Sequence, residues 1–175
     1  MNLTSDRKVR EDWLIASMFA AGAVSFTVAF FLQTINEPFA LGCVVLVTAL
    51  CEALSVKLYF DGRVSISFIG TLLSAILFGP LGGVLAAASV AMTGYFTASR
   101  NPRKLVFNFG HETFSAFLAG SFLSLAGLSG TVHDFHRPLG TLIGGISGAA
   151  ILFTVDAWSV SAIMAVTSGR SMRTS

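Results

Sequence analysis

The chain has 175 residues, of which 54% are hydrophobic and only 11% are charged, and its mean hydropathy is +0.77. A water-soluble domain carries roughly 25% charged residues, so this composition excludes one that covers its surface with polar side chains. The length allows one compact unit and leaves no room for a second globular domain. The net charge of +2 becomes informative once the charges are placed along the chain.

The beginning of the chain favours a retained membrane anchor over a cleavable signal peptide. Acidic Glu11 and Asp12 stand directly before a long apolar stretch that starts at Trp13, which is not the charge pattern of a signal peptide. The two cysteines, Cys43 and Cys51, lie in one apolar run about two helical turns apart, too far along a helix axis to bridge. We therefore interpret them as apolar thiols without a redox role.

The apolar stretches predict an all-α transmembrane bundle. Only helices and closed barrels satisfy their backbone polar groups in lipid, and these stretches are longer than a barrel strand and do not alternate. Residues 1–12 form a predicted N-terminal segment, 13–167 the membrane domain and 168–175 a C-terminal tail. The six predicted transmembrane helices are residues 13–32, 39–58, 64–78, 81–96, 105–125 and 139–166.

The third and fourth segments are short, and they meet at a run from Gly79 to Gly83 that contains Pro80. Such a junction is typical of a tight turn between two short spans or of a kink in a single helical hairpin. The run 64–68 alternates apolar and hydroxyl side chains, which predicts that the third segment begins extended rather than helical.

The distribution of basic residues predicts that both termini lie in the cytoplasm. With six spans, only Arg137 falls in an outer loop, and merging the third and fourth segments would place the basic run 100–104 outside. Basic residues concentrate on the cytoplasmic side of membrane proteins, so we expect a multi-pass protein of the inner (plasma) membrane. The basic residues on the predicted inner side are Arg7, Lys8, Arg10, Lys57, Arg63, Arg100, Arg103, Lys104, Arg170 and Arg173.

Small residues recur at helical spacing and predict close helix packing. Gly140, Gly144 and Gly148 form two consecutive GxxxG steps in the sixth segment. In the first segment the same spacing permits either packing inside the bundle or docking against a partner subunit. The candidate docking residues are Ala16, Ser17, Ala20, Ala21 and Ser25.

Ionisable side chains inside membrane helices are costly and therefore mark candidate functional positions. Glu52, His111, Glu112 and Asp156 fall at similar depths, within roughly 8–15 Å of the predicted inner surface at 1.5 Å rise per residue. Asn108 lies one turn below Glu112. The pattern predicts a polar cluster in the inner half of the bundle. It is either a hydrogen-bonded network that fixes helix register or a ligand site or proton path.

Other chemistry is poorly supported by the sequence. One intramembrane histidine with scattered carboxylates lacks the spacing of a zinc site, and nothing besides His111 supports a tetrapyrrole. His133, Asp134 and His136 suit a short polar outer loop, with a pH-sensitive or metal-binding rim as the alternative. The glycine-rich junction lacks the Lys-Ser/Thr of a phosphate loop, and no serine elbow or HExxH occurs. We expect a non-enzymatic protein with no nucleic-acid partner and no cofactor that the sequence specifies.

From Asp61 to Arg173 the chain contains, in this order, Val64-Ser65-Ile66-Ser67-Phe68, Phe78-Gly79-Pro80, Arg100–Lys104 with Phe107-Asn108, and Gly169-Arg170-Ser171. This order resembles the multi-helix membrane sensor domain that begins many bacterial diguanylate cyclases and HD-GYP phosphodiesterases. In that family an output domain follows the last helix, so the resemblance implies a domain that acts alone, a separate partner or a longer chain. Helix number and size are also similar to the S-components of energy-coupling-factor vitamin transporters, whose first helix docks through small residues.

Together these features predict a membrane module that senses or binds a small ligand, or relays a membrane signal to a protein partner. One alternative is the substrate-binding, S-component-like subunit of a vitamin-type importer. Another is a structural subunit of a larger membrane complex, for example one that carries pigments.

The predicted topology has a direct test. After Cys43 and Cys51 are replaced by alanine, single cysteines at Ser99 and Thr131 should react with an impermeant thiol reagent from opposite sides of the membrane, because an odd number of spans separates them. Reaction of both positions from the same side would contradict six spans.

Overall fold

The computed structural model describes residues 3–57, 63–98, 100–129 and 138–168. Everything below concerns these residues. The predictions for the outer-loop residues His133, Asp134 and His136, and the labelling positions Ser99 and Thr131, lie outside them.

The described chain is helical, apart from one two-residue antiparallel ladder in which Val56 pairs with Val64. This confirms the all-α class and the extended start of the third segment, whose helix begins only at Ser67. The elements are α1 (Leu3–Leu32), α2 (Pro38–Ala53), β1 (Val56–Lys57), β2 (Arg63–Val64), α3 (Ser67–Thr97), α4 (Pro102–Leu125) and α5 (Pro138–Ser168).

By length and composition, three helices are apolar enough to cross a membrane: Lys8–Leu32 within α1, Ser67–Thr97, which is α3 and is interrupted by the non-helical residue Gly79, and Leu142–Val166 within α5. The α2 helix is apolar but has only 16 residues, a length of about 24 Å. These lengths and compositions show a membrane protein.

Local sequence signals explain both ends of α4. At its start the Asn101 side chain accepts a hydrogen bond from the Arg103 backbone N–H at 3.0 Å, satisfying one of the free donors of the first turn. At its end Gly127 adopts a φ of 66°, and the Leu128 N–H donates to the Leu123 carbonyl at 2.8 Å. This is a Schellman ending, in which glycine takes the left-handed position at little cost.

The α3 helix reverses direction at Gly79. Ser74 Oγ donates to the Gly82 carbonyl at 2.8 Å, although eight residues of straight helix would separate them by about 12 Å. Further from the bend, Glu52 hydrogen-bonds Ser67 and also lies beside Gly94, where an added Cβ would be 3.6 Å from its Oε1. The two arms of α3, residues 67–78 and 80–97, therefore fold back on each other as a helical hairpin.

Gln33, just beyond α1, holds this reversal. Its Nε2 donates to the Phe78 carbonyl at 2.7 Å, and its Oε1 accepts from the Leu81 N–H at 2.9 Å. One amide thus satisfies a carbonyl and an N–H that the bend frees. Gly79 has φ 66° and ψ −158°, a conformation that side-chain-bearing residues rarely adopt, and Pro80 cannot donate a backbone hydrogen bond.

Contacts between helices fix their directions. Arg103 pairs with Asp12 while Thr113 meets Gly22, so α1 and α4 run parallel. On α5, Gly144 lies beside Leu123, whereas Asp156 lies further along beside His111, so α5 runs antiparallel to α4. With the arms of α3 counted separately, six helical stretches alternate in direction.

We call the two ends of the bundle the basal end and the distal end. The basal end carries Asp12 and Arg103, and the distal end carries Gln33 and Gly79. The Glu52 end of α2 points toward the basal end, because it meets the parts of α3 that are furthest from the Gly79 bend.

Small residues permit the closest helix approaches. An added Cβ on Gly110 would lie 2.5 Å from the carbonyl of Met18, and one on Gly120 would lie 2.7 Å from Pro80 Cα. The core accordingly consists of compact apolar side chains on several helices, with alanines prominent. Its buried residues include Ala29, Leu81, Val84, Ala87, Ala116, Ala119 and Leu152.

The predicted close packing of the α5 glycines is confirmed for Gly144 and Gly148. A Cβ on Gly144 would lie 3.2 Å from a Leu123 methyl carbon, and one on Gly148 would lie 2.8 Å from a methyl carbon of Leu72. Gly145, the next residue along the chain, has open space where its Cβ would be.

This difference between neighbouring glycines gives a matched test. Gly144→Leu should lower the free energy of unfolding in detergent by about 1–3 kcal/mol, because the new side chain overpacks the contact with Leu123. Gly145→Leu is the control and should leave stability nearly unchanged. Equal thermal stability of the two variants would show that the α5–α4 contact is not close.

Candidate functional site

Four helices bring polar side chains into the basal half of the bundle. Glu52 comes from the last turn of α2, His111 and Glu112 from α4, Asp156 from α5 and Ser67 from the first turn of α3. We call these five residues the basal polar cluster.

His111 and Asp156 form the clearest pair of the cluster. His111 is 5% exposed, and its Nδ1 lies 2.9 Å from Asp156 Oδ1. The pair meets the distance of an ion pair but not the geometry of a hydrogen bond. The imidazole also packs against the Phe107 ring, with centroids 5.0 Å apart, so its orientation is fixed from two sides.

Asp156 differs from its partner in exposure. Its side chain is 52% exposed on the surface of α5. A carboxylate on the outer face of a membrane helix is costly. The pairing with His111 offsets part of that cost.

Glu112 points one carboxylate oxygen into the bundle. Its Oε2 is buried and has no hydrogen-bond partner within the described part of the chain. The charges that act on it come from Asp156 and Glu52, which are both carboxylates. The cluster therefore holds three acidic side chains and one imidazole. A buried carboxylate oxygen without a hydrogen-bond partner is costly, so this position is suited to receive a hydrogen-bond donor.

Glu52 is held by hydroxyl groups at the start of α3. Ser67 Oγ donates to its Oε2 at 2.8 Å. Ser65 Oγ in turn donates to Ser67 Oγ at 2.9 Å and accepts from the Ser67 N–H at 3.1 Å. The alternating hydroxyls of the 64–68 run thus orient a carboxylate of the neighbouring helix.

The structure thereby brings together four of the five residues proposed from sequence. Asn108 lies one turn before Glu112 and is partly exposed, but the described hydrogen bonds include none between it and the other members. Among the residues that the structure describes, no group of three or more side chains is placed to hold a metal ion.

The candidate docking residues of α1 divide between two faces. Ala16, Ser17 and Ala20 are exposed, and Ala21 is partly exposed. Ser25 is 4% exposed and belongs to the inner face, where α1 meets its neighbours. The exposed small residues Ala16, Ser17 and Ala20 are therefore the ones available to a partner.

Sequence reasoning missed two elements of this arrangement. Gln33 was a detectable signal, since it is a polar side chain directly after an apolar helix, yet its partner is 45 residues away. The link from Ser67 to Glu52 joins residues 15 apart. In both cases the pairing depends on where the hairpin folds.

Comparison with protein-family models, curated proteins and solved structures found no match to the chain.

The Ser67–Glu52 hydrogen bond can be tested by deletion. Ser67→Ala should lower the free energy of unfolding in detergent by about 1–3 kcal/mol, because it removes a donor from a partly buried carboxylate. Ser17→Ala is the control, since the Ser17 hydroxyl bonds only the Leu14 carbonyl of its own helix. Equal melting temperatures for Ser67→Ala and the control would contradict a stabilising role for this bond.

Proposed function

We propose that the protein is a non-enzymatic membrane module that binds a small ligand or relays a membrane signal to a protein partner, and that the basal polar cluster carries this role. The observation that supports the proposal is the buried oxygen of Glu112, which lies within electrostatic reach of two other carboxylates. A purely structural network would be expected to satisfy that oxygen.

The proposal includes six crossings of a bacterial inner membrane, with both termini on its cytoplasmic side. Its support is the alternating direction of the six helical stretches, which puts the start of α1 and the end of α5 at the same end of the bundle. The described basic residues Lys8, Arg100, Arg103 and Lys104 also belong to this basal end. That asymmetry agrees with a cytoplasmic basal end.

A sensor role fits the way in which the cluster is assembled. Its members come from α2, α3, α4 and α5, so a change in proton or ligand occupancy alters forces between several helices at once. The short resemblance to diguanylate cyclase and HD-GYP sensor domains points to the same role, with an output domain or partner at the cytoplasmic side.

The S-component-like importer subunit is the second candidate. The exposed small residues Ala16, Ser17 and Ala20 on α1 favour it, because such a strip permits close docking of a partner helix. A copurifying ATPase and coupling subunit would support this candidate, whereas a copurifying cyclase or phosphodiesterase would support the sensor.

The decisive measurement is mass spectrometry of the small molecules and proteins that remain bound after gentle detergent extraction. His111→Gln should preserve the fold and abolish retention of the ligand or partner, because it removes the imidazole that pairs with Asp156. Asp12→Asn is the matched control: it removes a carboxylate from a paired site at the basal surface, and it should leave retention unchanged.

Glu112→Gln separates a functional role from a structural one. It keeps the shape of the side chain and removes the ionisable group, so a structural cluster should keep its stability or gain some, because no charge at this position can then oppose Glu52 and Asp156. A functional cluster should lose retention as well. A folded Glu112→Gln protein that retains the same molecules as wild type would contradict the proposed role.

A further inference from the structure

A cavity opens at the distal end of the bundle, well away from the basal polar cluster. Its volume is about 170 Å³, the space of roughly five or six liquid water molecules. It lies between the α1–α2 connection and the bend of α3. The lining residues are Gln33, Thr34, Ile35, Asn36, Glu37, Leu77, Phe78, Gly79 and Ser129.

The chemistry of the lining is asymmetric. Glu37 is its only charged side chain among the described residues, and this carboxylate makes no capping bond to the N-terminus of α2. Ile35, Leu77 and Phe78 supply apolar surface, and Thr34 and Asn36 supply polar groups. The Gln33 amide is already committed to the backbone at the bend. A recess with mixed polar and apolar walls, and with one carboxylate that no described residue pairs, favours a positive charge on a compact body that also has apolar surface.

We propose that this distal cavity is a binding site for a small organic cation of the alkylammonium class. Glu37 supplies the counter-charge, and the side chains of Leu77 and Phe78 supply the apolar contact. The cavity is too small for a drug-sized molecule, which restricts the ligand to a compact amine. The proposal does not depend on the basal polar cluster.

A ligand in this cavity would contact residues that hold the bend of α3. Gln33 and Gly79 both line it, and the same two residues form the bend of α3. A ligand seated there touches the amide that holds the hairpin closed. Occupancy therefore stabilises the hairpin by mass action, since the unfolded chain lacks the cavity.

The test uses choline as the cation and neohexanol, its uncharged carbon isostere, as the shape control. The protein is purified in a maltoside detergent, which carries no choline headgroup, and binding is followed by saturation-transfer NMR. We expect choline to bind with about millimolar affinity, as befits a ligand of this size in an open site. Neohexanol and propionate should bind more weakly.

Two variants locate the site. Glu37→Gln should weaken choline binding by about threefold to fivefold while leaving neohexanol unaffected, because only the charge interaction is lost. Thr34→Phe should abolish binding of both molecules by filling the cavity. Glu11→Gln, a carboxylate near Arg103 at the basal end, is the control and should bind choline as wild type does.

The outcomes that overturn the proposal are distinct. Equal affinity for choline and neohexanol would exclude charge selection, and unchanged choline binding in Glu37→Gln would exclude the counter-ion. Choline binding that survives Thr34→Phe would place the ligand elsewhere, and an absence of choline binding to the wild-type protein would exclude the site. Melting temperatures of all variants establish that loss of binding is not loss of fold.

Discussion

The reversal of α3 at Gly79 is the constraint on which the rest of the structure depends. It places Ser67 and Gly94 beside the same carboxylate, Glu52, although 27 residues of straight helix would hold them about 40 Å apart. The reversal also provides the groove into which α4 packs through Gly120. A bend in lipid is tolerated only if its freed backbone groups find partners, and the Gln33 amide provides two of them. The hairpin is therefore held by the residue that directly follows α1, and this contact ties α1 to α3.

The basal polar cluster is a second constraint, and the repulsion between its carboxylates acts against the packing of the helices. Three carboxylates and one imidazole sit in a bundle whose other buried side chains are apolar, with alanines prominent, or carry serine and threonine hydroxyls. Low dielectric strengthens both the repulsions and the pairings of the ionisable groups. The α3 hairpin brings Glu52 to the cluster, and the parallel pairing of α1 with α4 sets the depth of His111 and Glu112. Folding thus brings carboxylates into the same half of the bundle, and their mutual repulsion opposes the packing that assembles them.

Much of this could be predicted from sequence, for physical reasons. Apolar composition and segment length predicted the helical membrane class, and glycine spacing predicted the contacts of Gly144 and Gly148. Depth along the helices predicted that His111 and Asp156 would lie at the same level, because helix rise is constant, and the two side chains pair. The sequence left two points open. One is the form of the Gly79 junction, which depends on Gln33 far away in the chain, and the other is which of the small residues of α1 face outward. Four-residue spacing drifts around a helix, so Ser25 turned inward while Ser17 stayed outside.

The short first arm of α3 has a consequence for the lipid around it. Its 12 residues, 67–78, extend only about 18 Å, and the adjacent α2 extends about 24 Å, against a hydrocarbon core of roughly 30 Å. In the proposed six-span arrangement, the bilayer on this flank must thin or admit headgroups and water to meet the protein. The opposite flank, formed by the longer α1 and α5, matches an undistorted bilayer. The hydrophobic length of the protein in that arrangement differs from one side to the other, so thin membranes suit the α2–α3 side better than the α1–α5 side.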